Sequence, residues 1–130
     1  MKIVSWIARI LLALMFVVLG SNPFLKFLPM VLPPGLAGQF VSVLIQSHLV
    51  YVVAAVQVIG GLLVLIPRFV PLGLCLLGPV IFIILCYHLL MDPKGIVPGV
   101  FALILWFILF FRYRQSFAGI LGTQPVQPTA

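Results

Sequence analysis

Few side chains in this 130-residue chain can do chemistry, and most of them stand alone. Arg9 interrupts an apolar run, about 9 Å in from its start at the rise of a helix. A guanidinium at that depth either meets a partner or ligand, or snorkels back to the head groups. Its stripe, Ser5, Arg9, Ala13, Phe16 and Gly20, is rich in small residues and directs it toward neighbouring helices. Gln57 lies in the middle of a second apolar run, on a face shared with Ala54, Gly60 and Gly61. An amide without a partner in hydrocarbon costs several kcal/mol or so. Gln57 therefore calls for an interhelical hydrogen bond, of about 0.6–2 kcal/mol, or for a polar binding site. His48 and His88 fall at helix ends, where histidines commonly meet head groups and water. His88 and Asp92 are four residues apart, so an imidazole–carboxylate contact is within reach on a continuing helix. Two histidines and one carboxylate are metal-binding types, but no ligand spacing supports a site. The candidate ligand-binding residues are Arg9, Gln57 and His88; no catalytic or metal set is expected.

Cys75 and Cys86 are eleven residues apart and share a helix face, about 16 Å apart along its axis. That separation excludes a disulfide within the helix, whose Cα atoms must approach to within about 7 Å. With no Cys-x-x-Cys, they read as small packing residues. There is no glycine-rich phosphate loop, no Ser–His–Asp set and no carboxylate pair, and the single acidic residue argues against carboxylate-driven proton transport.

What positions these groups is a membrane. The chain is 65% hydrophobic and 6% charged, against about 25% charged in soluble domains. Soluble enzymes, disulfide-stapled secreted domains and nucleic-acid binders are excluded; the seven cations are scattered singly rather than gathered into a basic patch. Four stretches approach the roughly 20 residues a bilayer requires: 3–20, 49–66, 69–90 and 96–111. Pro67-Arg68 is so short a connection that the second and third spans must be antiparallel neighbours. Pro29, Pro33, Pro34 and Gly35 break the chain before 36–46, where Gln39, Ser42 and Gln46 form one polar stripe. That segment is expected at the interface, bending into the second span near Ser47-His48. Gly78-Pro79 should kink the third span and free backbone carbonyls. The expected fold is all-α: an integral membrane four-helix bundle over 1–117 with a short interfacial helix, and a disordered tail over 118–130. Lys2, Arg9, Arg68, Arg112 and Arg114 share one side and Lys26 and Lys94 the other, which places both termini in the cytoplasm. The first span reads as an uncleaved helix, because Arg9 interrupts it and 19–23 makes a poor cleavage site.

The run Ala8-Arg9-Ile10-Leu11-Leu12-Ala13-Leu14-Met15-Phe16-Val17-Val18-Leu19-Gly20 resembles the opening helix of DoxX-type membrane proteins. Val58-Ile59-Gly60-Gly61-Leu62-Leu63 resembles their second helix, and 71–90, ending in Tyr87-His88, with the closing Tyr113-Arg114, extends the likeness over residues 9–117. The resemblance rests on order and spacing more than on rare residues. It implies a four-helix inner-membrane bundle linked to quinol oxidase and thiosulfate–quinone chemistry or to oxidoreductase complexes handling thiol and oxidative stress. Many relatives carry Glu before the Gly-Gly pair, where this chain has Gln57, so an ionisable group is lost. The expectation is a small accessory or scaffold subunit of a redox or quinone-linked complex in the inner (plasma) membrane, without autonomous catalysis. It would have no intrinsic cofactor, a bound quinone meeting Arg9, Gln57 and His88, and another oxidoreductase subunit or a second copy as partner. A lipid or small-molecule carrier and a structural homo-oligomer are the alternatives.

Overall fold

The computed structural model describes residues 2–122 and 127–129. Among the described residues six α-helices follow one another: α1 (Lys2–Leu25), α2 (Leu36–Gln46), α3 (Leu49–Leu65), α4 (Val70–Leu90), α5 (Ile96–Arg112) and the short α6 (Ala118–Leu121). No strand occurs among the described residues. By length and composition three helical stretches are fit to cross a membrane, Lys2–Leu25, Pro67–Leu90 and Pro93–Arg112, and a fourth if α2 and α3 count as one span. α1 packs on α3 and α5, and α4 packs on the same two helices. The end holding the start of α1 and the end of α3 is called proximal below, and the opposite end distal.

Several boundaries differ from the sequence reading. α1 runs on past Gly20 and through Pro23 to Leu25. A proline so near the end of a helix removes only one intrahelical donor, and the helix stops where Lys26 takes a left-handed φ of 55°. Helix also continues beyond residue 117, through a 3₁₀ turn at Arg114–Phe117 into α6. Residues 123–126 and 130 of the expected disordered tail lie outside the described residues. α2 spans 36–46 as expected and meets α3 at a bend of 87°. The bend is made at His48, held at φ 64°.

Small residues set how closely the helices approach. A Cβ on Gly73 would lie 2.8 Å from the carbonyl oxygen of Gly60 and 2.9 Å from the amide nitrogen of Val64. The α3–α4 seam is therefore backbone against backbone, as in other membrane helix pairs with small-residue interfaces. Of the largest fully buried side chains, Leu12, Val64, Val70, Leu74, Leu77 and Leu109 lie in the proximal half of the molecule and Ile81 at mid-helix in α4. Outward, Leu14, Ile59, Leu72, Ile83 and Ile104 are each about half exposed, as expected of surfaces that face acyl chains rather than water.

Candidate functional site

Arg9 is 6% exposed. Its Nε donates to the carbonyl of Val64 at 3.0 Å and its Nη2 to the carbonyl of Leu65 at 2.6 Å. The local sequence explains why those oxygens are free. α3 ends at Leu65 and the chain continues into Pro67, which has no N–H to offer the last turn. A cation at a helix C-terminus also meets the negative end of the helix dipole. Trp6 covers the other side, with the Arg9 guanidinium carbon 5.3 Å from its ring centroid, within cation–π range. The guanidinium thus does not snorkel out to head groups: it is a cap supplied by α1 to α3.

Gln57 sits at the centre of the face of α3 that carries the buried Ala54, Gly60, Gly61 and Val64. α1 packs tightly here: a Cβ on Gly20 would fall 2.9 Å from the Cβ of Gln57. The side chain is nevertheless only half-buried. The interhelical bond open to it from sequence is not made: none of the side-chain hydrogen bonds among the described residues involves its amide.

His88 stands near the distal end of α4, and its Nδ1 is 3.0 Å from the backbone carbonyl of Asp92. The expected imidazole–carboxylate contact is replaced by this contact to the main chain, because the helix ends at Leu90 and the turn through Met91 and Asp92 brings the carbonyl round. The ring also lies against Gly95, where a Cβ would meet its Cε1 at 2.6 Å. His88 therefore fastens the α4–α5 turn.

These three residues do not converge on one cavity. Arg9 engages Val64, seven residues and so about 10 Å along α3 from Gln57. His88 is 18 residues and about 27 Å from Val70, at the opposite end of α4. Cys75 and Cys86 are free thiols, and among the described residues no three His, Cys, Asp or Glu side chains gather as metal ligands would.

Two features escaped the sequence reading. Trp106 on α5 donates its indole N–H to the carbonyl of Leu74 at 2.9 Å. Leu74 lies one residue before Cys75, whose carbonyl finds no helical donor at Pro79, and Gly78 leaves room for the ring, 3.3 Å from where a Cβ would stand. Part of the signal was present: an indole in an apolar helix needs an acceptor. The second feature is a pocket of about 370 Å³ at the distal end, between the end of α1, the following loop and the junction of α2 with α3. A smaller one, of about 280 Å³, is lined by Arg112 and Arg114 at the proximal end. Neither includes Arg9, Gln57 or His88.

Fold and site define an all-helical protein with membrane-length apolar helices, whose polar side chains serve largely as helix caps and ties. No protein-family model, no curated protein and no solved structure matches the chain.

Proposed function

We propose that the chain is a four-helix bundle protein of the inner (plasma) membrane, both termini cytoplasmic, acting as an accessory or scaffold subunit of a redox or quinone-linked complex without autonomous catalysis. The resemblance to DoxX-type proteins supplies the redox and quinone part of this reading. The observation that carries the accessory role is Gln57: an amide at mid-helix, on the inward face, half-buried and unpaired within the described residues. Polar groups at membrane depth are usually paired or functional. An amide left over by its own fold is a donor and acceptor for something else, whether a carbonyl-bearing quinone or a side chain of a partner helix. Arg9 and His88 would contribute less directly, since each already holds a main-chain carbonyl.

The test is native mass spectrometry of the protein released gently from its own membranes, with and without Gln57→Leu. The expected result is a co-purifying oxidoreductase subunit or a bound quinone mass that the substitution removes. A bare homo-oligomer carrying only phospholipid, unchanged by Gln57→Leu, would overturn the reading in favour of a structural role. Loss of a bound, redox-inert lipid would favour the carrier reading.

A further inference from the structure

The distal pocket is independent of the Gln57 site and of any redox role. Its lining includes Asn22, Lys26, Met30, Ile45, Val50 and Tyr51. Asn22 builds one side of it. Its backbone carbonyl accepts from the Lys26 amide at 2.7 Å, and its Oδ1 accepts from the Leu28 amide at 2.8 Å. With Oδ1 engaged in the loop, the Asn22 side chain has its NH₂ donors left to offer. Lys26 adds three N–H donors and a positive charge, and Tyr51 a phenolic hydroxyl. The chain's one acidic residue, Asp92, does not line the pocket. Donors and a cation without a carboxylate select an acceptor-rich anion.

The remaining walls, Met30, Ile45 and Val50, are apolar, and the pocket lies where α1 ends and α3 begins, at the level expected for lipid head groups. Its volume is near the lower bound of small-ligand sites, enough for a head group and too little for a whole lipid. Lys26 also holds a left-handed backbone conformation. That is uncommon for a residue with a Cβ, and such outliers cluster at ligand-holding positions. We infer that this pocket holds the phosphodiester head group of an anionic phospholipid, with Lys26 as its counter-ion and Asn22 and Tyr51 as hydrogen-bond donors.

The experiment is thermal unfolding in nanodiscs of phosphatidylcholine alone or with added phosphatidylglycerol. The anionic lipid is expected to raise the melting temperature of the native protein by several degrees, as any ligand of the folded state does. Lys26→Gln should abolish most of that increment, and Lys94→Gln, which removes the other distal lysine outside the pocket, should keep it. Lys26→Gly separates binding from folding: glycine relaxes the left-handed residue, so melting in phosphatidylcholine should rise while the phosphatidylglycerol increment disappears. An equal loss in Lys26→Gln and Lys94→Gln would reduce the effect to general surface charge and overturn the inference. So would the absence of any increment in the native protein, or full stabilisation by inorganic phosphate in phosphatidylcholine discs, which would make the ligand a soluble anion.

Discussion

Replacing Arg9 by methionine removes both donors from the end of α3 while keeping most of the side-chain volume. Neutral interhelical hydrogen bonds in membranes are worth about 0.6 kcal/mol on average and up to about 1.7, and a charged donor roughly doubles a bond. Two such bonds, at 3.0 and 2.6 Å, therefore set the loss at about 2–3 kcal/mol, allowing for the relief of no longer burying a cation. The leftover groups are neutral carbonyls, so the larger penalty of a stranded charge does not arise. Arg9→Lys is the sharper probe. Lysine keeps the charge but presents a compact ammonium in place of the planar fork, so it should hold one carbonyl well and lose about half as much, ~1–1.5 kcal/mol by the same scale. Both are measured by reversible unfolding in bicelles with steric trapping, which reads free energy without full denaturation. If Arg9 instead reached head groups, lysine would serve equally. A Lys variant within about 0.5 kcal/mol of the native protein, the range of an ordinary surface change, would refute the capping argument.

Three further outcomes follow from the packing. Gly73→Ala drives a methyl into the backbone of α3 and should destabilise by about 1–3 kcal/mol in the same unfolding assay, through separation of α3 from α4. Trp106→Phe keeps the ring stack on Phe110 but strips the donor from Leu74; a loss of about 1 kcal/mol is expected, with faster amide exchange around Leu74–Gly78. His88→Phe leaves the Asp92 carbonyl without its imidazole and should loosen the α4–α5 turn by about 0.5–1.5 kcal/mol; protease nicking at 91–95 would report it, and unchanged nicking would count against the cap.

The apolar runs were legible because a membrane helix needs its polar backbone satisfied locally, so composition alone locates it. α2 coincides with its expected range for a related reason: prolines fix its start and its polar stripe marks its length. The partners of the polar side chains were not legible. Arg9, His88 and Trp106 all engage main-chain carbonyls, and every residue has one, so no residue type along the sequence signals which will be used. Only Gly78-Pro79 pointed to a stretch where a carbonyl would be left free, and the one engaged there, Leu74, neighbours the Cys75 carbonyl that Pro79 leaves without its helical donor. Gln57 was legible as a polar group in need of a partner, but that its own fold leaves it unpaired depends on how α1 and α4 pack against α3.

The Arg9 cap also orders events in time. Its acceptors lie 55 and 56 residues further along the chain. At translation speeds of about 5–20 residues per second, α1 exists for about 3–11 s before α3 has been made. Throughout that interval the guanidinium lacks the acceptors it uses in the folded chain. Its final seating on α3 is thus delayed until the loop, α2 and α3 have been made.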